Sequence, residues 1–178
     1  MKKFLMAIVL FASTLTVAPL VHAADADDLA YFKQFIFEET IDDADPENVT
    51  TSTRYLMSEW DAKTKLPNGD ELGINASLLL YQDFTFDLVY QESLFKAGSP
   101  GFFPGACKAI KGTWSVQGGR LVVPGFGYLE RALWHGQNAA SLTITDVVIS
   151  DAAKDFKTTM NFGFSNMPRE QAAKCFGF

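Results

Sequence analysis

The sequence predicts an all-β protein, built as one antiparallel up-and-down barrel of about eight strands. Beyond residue 50, hydrophobic and polar side chains alternate with a period of two along most of the chain. These alternating runs recur at intervals of roughly 8 to 15 residues, and short turns separate them. No long helical pattern lies between them. Parallel strands need long crossover connections, so a parallel α/β fold is excluded.

Size and charge indicate one acidic domain. The chain has 178 residues, of which 48% are hydrophobic, and 15 Lys and Arg against 21 Asp and Glu give a net charge of −6. The chain has no run of basic residues, so phosphate backbones and anionic lipids repel it. Nucleic-acid binding and peripheral membrane binding are therefore disfavoured.

The first 23 residues have the pattern of a secretory signal peptide. Lys2 and Lys3 precede an apolar run at residues 4–20, and Ala23 completes a small-x-small cleavage pattern. The apolar run is near the lower limit for a membrane anchor, but Pro19 and the acidic residues that follow favour a signal. We expect a periplasmic or secreted protein whose single domain spans residues 24–178, with a charge of 13 − 21 = −8.

Export gives the two cysteines a structural role. Cys107 and Cys175 are the only pair in the chain, and we expect a disulfide bond between them. The bond would close a loop of about 69 residues, worth roughly 4 kcal/mol. Neither cysteine lies in a C-x-x-C motif, which disfavours a redox pair. One histidine, His135, remains after the signal, so we expect neither a metal nor another cofactor.

The first elements of the mature chain are the least regular. Residues 31–39 fit both a helical stripe and a buried strand, and we expect a strand entered from a short helical turn. Residues 38–48 are acidic and contain Pro46, which predicts a solvated loop. Their spacing does not match a calcium-binding loop.

The remaining elements follow from alternation and turn residues. Phe84, Phe86 and Leu88 share one face of a strand that pairs with the strand before it. A glycine-rich turn at residues 117–119 forms a second hairpin, and Pro168 begins a short C-terminal helical turn that carries Cys175. The predicted strands are residues 52–60, 72–81, 84–90, 110–116, 120–123, 128–134, 141–150 and 156–164.

The second hairpin resembles those of small bacterial exported lipocalin-like (calycin-type) β-barrel proteins. Gly112-Thr113-Trp114-Ser115-Val116, a polar turn and Arg120-Leu121-Val122-Val123 follow a strand that begins Phe84-Thr85-Phe86. In this chain the Gly-x-Trp phrase lies in the middle rather than near the N-terminus. The resemblance implies an eight-stranded barrel whose interior holds either packed side chains or one small apolar ligand.

Two functions follow, neither of them enzymatic, and a hydrolase of unrecognised type, which would need a cleft with a perturbed carboxylate, is a third possibility. No G-x-S-x-G motif is present and no spacing selects a catalytic pair of carboxylates. The first function is binding of a small hydrophobic ligand inside the barrel. Its candidate residues are Trp60, Phe84, Phe86, Trp114, Arg120, Tyr128, Glu130 and Trp134.

Within this set we expect Trp114 to plug one end of the barrel, with Arg120 stacked over its indole ring, or to be an ordinary core residue. Glu130 is a candidate ion-pair partner of Arg120, because one of Glu130 and Arg131 faces inward and a buried charge needs a partner.

The second function is a protein-binding module, such as an inhibitor of a secreted hydrolase or an envelope interaction partner. Phe102 and Phe103 lie on a loop stiffened by Pro and Gly, where exposed aromatic rings are candidate binding hot spots. A partner of this acidic chain is expected to have a basic surface, and the interaction should weaken with salt.

Overall fold

The computed structural model describes residues 23–40, 52–59, 62–99, 101, 103–146 and 149–165. Within these ranges the chain is mostly β, as predicted. The elements are α1 (Ala23–Lys33), β1 (Glu38–Thr40), β2 (Ser52–Ser58), β3 (Lys63–Lys65), β4 (Glu71–Leu80), β5 (Thr85–Phe95), β6 (Phe103–Thr113), β7 (Ser115–Gln117), β8 (Arg120–Val123), β9 (Gly127–Trp134), β10 (Gln137–Ile144), a 3₁₀ turn (Asp151–Ala153) and β11 (Lys157–Ser165).

These strands form one antiparallel sheet in the order β6-β5-β4-β2-β11-β10-β9-β8-β7. β1 adds to β2, and β3 adds to β4. Almost every neighbour in this order is the next strand along the chain, as the predicted up-and-down arrangement requires. The last strand along the chain, β11, pairs with β2, so strands from the beginning and the end of the chain are neighbours in the sheet.

The sheet differs from the prediction in two respects: the described part of the chain contributes eleven strands rather than about eight, and the sheet is an open half-barrel rather than a closed barrel. β6 and β7 stand at opposite ends of the strand order, and no ladder between described strands joins them side by side. β8, which pairs with β7, contains four residues and is followed by Pro124 and by Gly125 with φ of +75°. β8 is therefore too short to run along β6, and the predicted closed barrel is not formed by these ladders.

Alternation along the strands builds the core on the concave face of the sheet. Phe86, Leu88 and Tyr90 of β5 all point into this core, as the period of two requires. Side chains from β2, β4, β8, β9, β10 and β11 pack into the same cluster. These side chains form one main core, and Tyr55 and Leu79 form a second, smaller cluster.

The helix α1 covers one end of the half-barrel. Phe32 and Phe35, which are three residues apart, are both fully buried in the core. The expected strand over residues 31–39 is wrong in its first part, since α1 continues to Lys33 and β1 begins only at Glu38. Phe32 lies in α1 and Phe35 in the turn that follows it, where the Phe35 N–H donates to the carbonyl oxygen of Phe32 at 3.0 Å, and burial of both rings stabilises this conformation.

The turns at residues 81–84, 118–119 and 135–136 lie at the same end as α1, here called the helix end. The connections at residues 124–126 and 145–156 lie at the other end, here called the far end. Several predicted features lie outside the described residues: most of the signal peptide, part of the acidic loop, Trp60, Phe102 and the C-terminal turn with Cys175.

Candidate functional site

The predicted ligand-binding residues are distributed over three places in the structure. Phe86 and Trp114 belong to the core, with 1% and 2% of their surface exposed. A Cβ added to Gly112 would come within 2.9 Å of the Phe86 ring, so glycine at this position lets the ring pack against the strand backbone. The Trp114 indole N–H donates to the carbonyl oxygen of Tyr81 at 3.3 Å. Trp114 is thus a core residue with its polar atom satisfied.

Phe84 lies above Trp114 at the helix end. It occupies the turn before β5 with φ of +65°, a left-handed conformation that bulky residues rarely adopt. The centroid of its ring is 4.8 Å from that of Trp114, and 40% of its surface is exposed. The two residues therefore form a contact between the core and the surface.

Arg120, Tyr128 and Glu130 form a group on the convex face of the sheet. The Nε atom of Arg120 lies 2.9 Å from Oε1 of Glu130, which confirms the predicted pair. The guanidinium group lies over the ring of Tyr128, 4.2 Å from its centroid, so the expected stacking on Trp114 is wrong. Neighbouring residues Leu121 and Leu129 face the core, and the alternation of the strands directs this group outward. The Arg120–Glu130 pair is half-exposed rather than buried.

Trp134 lies at the end of β9, in the hairpin that β9 forms with β10. The two turn residues, His135 and Gly136, have φ of +50° and +77°, as in a type I′ turn. Trp134 is 36% exposed and Leu133 beside it is 71% exposed. Both residues lie at the outer end of a regular hairpin, but as strand neighbours they point to opposite faces of the sheet, Leu133 to the core face and Trp134 to the convex face.

A further exposed apolar residue lies at the same end of the sheet, two strands away. Phe164, near the end of β11, is 73% exposed. β11 and β9 are the two neighbours of β10, and both run toward the helix end. We call Leu133, Trp134 and Phe164 together the apolar rim. Only Trp134 of this set was predicted as a binding residue. Alternation places Leu133 and Phe164 on the core face, and it does not show where along the strand the core ends.

Polar contacts attach α1 to the strands beside the apolar rim. The Tyr31 hydroxyl lies 2.9 Å from the carbonyl oxygen of Ala132 and 2.6 Å from that of Ala139. Asp28 forms an ion pair with Arg131. The amide of Asn138 donates to the side-chain oxygen of Gln34 at 2.8 Å. These contacts fix the helix against β9 and β10, and so define the shape of the surface around the rim.

The far end holds a buried carboxylate that the sequence analysis did not select. Glu92, 7% exposed, follows Phe86, Leu88 and Tyr90 on the inward side of β5. It accepts hydrogen bonds from the Tyr90 hydroxyl at 2.8 Å and from the backbone N–H and hydroxyl of Ser150 at 3.1 and 2.6 Å. Burial, and next the hydrogen bond and charge of Glu92, raise the pKa of Tyr90 well above its usual value. The period of two that placed Phe86 inward was the signal that could have found Glu92.

A shallow surface groove of about 410 Å³ also opens at the far end. Phe95, Lys96 and Glu71 line it together with the backbone of the glycine-containing loop after β5. Phe103, predicted as an interaction residue, lies nearby at the start of β6 and is 48% exposed, with the Lys96 ammonium 5.0 Å from its ring centroid. Its predicted companion Phe102 is outside the described residues, so the two-ring hot spot stays a prediction.

Cys107 lies on β6, and no cysteine in the described part of the chain is free. Because Cys175 is outside that part, their pairing remains a prediction. The described ranges contain no group of three or more His, Cys, Asp or Glu residues arranged to hold a metal ion. They also contain no helix with the length and hydropathy needed to span a bilayer.

No family model, no curated protein and no solved structure matches the chain, so comparison with known proteins does not assign it to a family.

Proposed function

We propose that the protein is an exported, non-enzymatic binding module that engages a partner protein through the apolar rim. The observation that carries this proposal is the exposure of Leu133 and Phe164, at 71% and 73%, at the same end of the sheet as Trp134, which is 36% exposed. Large apolar side chains exposed at one end of a sheet are candidates for an interaction surface. Trp is also among the residues most enriched in binding hot spots.

The rim is presented on a rigid support. The β9–β10 ladder continues in register from Ile144↔Gly127 to Gln137↔Trp134, so the hairpin is paired up to its two-residue turn. The contacts of α1 with Ala132, Ala139 and Asn138 hold the same hairpin from one side. A surface that is already ordered loses less conformational entropy on binding, which favours affinity.

The packing of the core gives less support to an interior ligand. Phe86 and Trp114 are in contact with the main cluster and almost wholly buried, so protein side chains occupy the space around them. Arg120, Tyr128 and Glu130 lie on the convex face, away from that interior. These placements favour the partner protein over a small hydrophobic molecule.

The finer features of the predicted fold belong to the same proposal. An up-and-down order with β11 beside β2 supports a lipocalin-like arrangement. A disulfide bond between Cys107 and Cys175, formed after export, would attach the C-terminal segment to β6. With −8 charges on the mature chain, the partner would have a basic surface and the complex would weaken as salt increases.

Site-specific crosslinking tests the proposal. A photo-crosslinking residue at position 133 or 164 should give the same crosslinked partner in the cell envelope or medium, whereas one at Lys157 should not. Lys157 is a matched control because it is exposed and lies on the same strand as Phe164. With the purified partner, Leu133→Asp and Phe164→Ser should each weaken binding by about ten-fold.

Two results would contradict the proposal: equal crosslinking from position 157, or unchanged affinity of both rim variants for the purified partner. Native mass spectrometry of the purified protein gives a separate check. A bound lipid-like mass that persists in the rim variants would favour the interior ligand instead.

A further inference from the structure

One edge of β6 pairs with no other strand in the described part of the chain. β6 is eleven residues long, and most of its residues are exposed, including Lys108, Ala109, Lys111 and Thr113. On one side β6 pairs with β5 over nearly its whole length. On its other side no described strand pairs with it, because β6 is the first strand in the sheet order.

The direction of the backbone groups follows from one hydrogen bond. The N–H of Trp114 donates to the carbonyl oxygen of Phe84 at 2.8 Å, in continuation of the β5–β6 register. In an antiparallel ladder, residues that bond to one neighbour alternate with residues that point to the other side. Ala109, Lys111 and Thr113 therefore direct their N–H and C=O groups away from β5.

The same backbone edge is occupied further along the chain. β7 continues the course of β6 after Trp114 and pairs with β8, from Ser115↔Val122 to Gln117↔Arg120. β8 then ends at Val123, before it has run beside β6. The vacant edge of β6 thus lies where a longer β8 would have continued, and its groups are positioned to accept an antiparallel strand.

Charge on β6 indicates what kind of strand fits. Lys108 is exposed on the concave side and Lys111 on the convex side, where it lies 3.2 Å from Asp87. Ile110, between them, packs against the core. Two lysines on an edge disfavour pairing with a second copy of β6, since the copies would place positive charges close together. They favour a segment with carboxylates opposite both.

We propose that the free edge of β6 binds an extended acidic segment of a partner protein by strand addition. Backbone hydrogen bonds to Ala109, Lys111 and Thr113 supply the affinity, and side chains supply the specificity. Read from its N-terminus, the segment carries an acidic residue opposite Lys111, an apolar residue opposite Ile110, any residue opposite Ala109, and an acidic residue opposite Lys108. This site is separate from the apolar rim and does not depend on it, and the local charge of Lys108 and Lys111, rather than the net charge of the chain, selects an acidic segment here.

The test uses a capped synthetic peptide, Thr-Val-Asp-Val-Thr-Glu-Val-Thr, and a control peptide with Lys at both acidic positions. The acidic peptide should slow amide hydrogen exchange at Ala109, Lys111 and Thr113, and the control should bind more weakly. Lys108→Glu should weaken binding of the acidic peptide by roughly five-fold and improve binding of the Lys peptide, because one exposed ion pair is lost or gained. Lys157→Glu, an exposed strand lysine elsewhere, should change neither affinity.

A second pair of variants tests the backbone directly. Ala109→Pro removes an N–H that points away from β5, so the fold should persist while peptide affinity falls by about ten-fold or more. Ala109→Val keeps the N–H and should bind as the parent does. Leu133→Asp should also bind the peptide normally, which separates this site from the rim.

The proposal is overturned if the peptide gives no protection on β6, or if folded Ala109→Pro binds as tightly as Ala109→Val. It is equally overturned if sedimentation without peptide shows a dimer that Ala109→Pro dissociates, since a second copy would then be the occupant.

Discussion

At the residue scale, the pair of Tyr90 and Glu92 shows how one side chain depends on its surroundings. Tyr90 is fully buried, its ring contacts that of Phe126 edge-on with 5.1 Å between the centroids, and its hydroxyl donates a hydrogen bond to Glu92. Deprotonation would place a phenolate beside a buried carboxylate. The raised pKa of Tyr90 expresses the cost of that state.

This shift predicts a loss of stability at high pH. Below about pH 10, the usual pKa of tyrosine, Tyr90 is protonated both folded and unfolded and causes no pH dependence. Above it, the unfolded chain releases a proton that the folded chain retains, so the free energy of unfolding decreases as pH rises. Denaturant unfolding between pH 9 and 11.5 should show this decrease, and Tyr90→Phe should reduce its slope.

Tyr128→Phe is a suitable control, because Tyr128 is only partly buried and lies on the convex face. An alkaline slope in Tyr90→Phe as steep as in the parent would show that other groups cause the destabilisation.

At the element scale, α1 shows how a helix is positioned by contacts far away in sequence. Phe32 and Phe35 provide the apolar part, and the Tyr31 hydroxyl reaches carbonyls of both β9 and β10. Arg131 packs over the Tyr31 ring, 4.9 Å from its centroid, and pairs with Asp28. A single tyrosine thus connects the helix with the hairpin that carries the rim.

Removal of this hydroxyl should loosen α1 selectively. We expect Tyr31→Phe to lower the free energy of unfolding by about 1 kcal/mol, the usual net value of such a hydrogen bond. Amide hydrogens of α1 should exchange faster, while those of β4 and β5 change little. Ala30→Gln, at an exposed position of the same helix, should change stability by less than about 0.5 kcal/mol. Equal effects of the two substitutions would contradict this role of Tyr31.

At the scale of the whole molecule, the stability of an open sheet depends on contacts that hold its terminal strands in place. β6 lies at one end of the strand order, and its Cys107 is half-buried. The predicted bond to Cys175 would connect this edge with the segment that follows β11. Such a bond would limit the unfolded chain over a long loop.

Reduction of the disulfide should therefore destabilise the protein as a whole. We expect the free energy of unfolding to fall by roughly 4 kcal/mol on reduction, and the Cys107→Ser, Cys175→Ser double variant to match the reduced parent. Thiol titration of the oxidised, denatured chain should find no free cysteine. Two titratable thiols in that sample would contradict the predicted bond between Cys107 and Cys175.

Much of the fold could be predicted because alternation is a local property. The strands around Phe86, Leu121 and Leu142 lie where the period of two placed them, and all three side chains are in the core. The Arg120–Glu130 pair was also predicted. The stacking of Arg120 on Tyr128 was not predicted, because a two-face pattern does not reveal which face of a strand meets the core.

The sequence by itself determined a mostly β, antiparallel, acidic chain with short turns, since these properties depend on neighbouring residues and on composition. Tertiary structure alone decided that α1 and the turn after it insert Phe32 and Phe35, that Leu133 and Phe164 extend past the core, and that β8 stops short of β6. Each of these depends on where strands from distant parts of the chain begin and end relative to one another. Register and strand length across the sheet therefore decide which apolar side chains and which backbone edge remain available for binding.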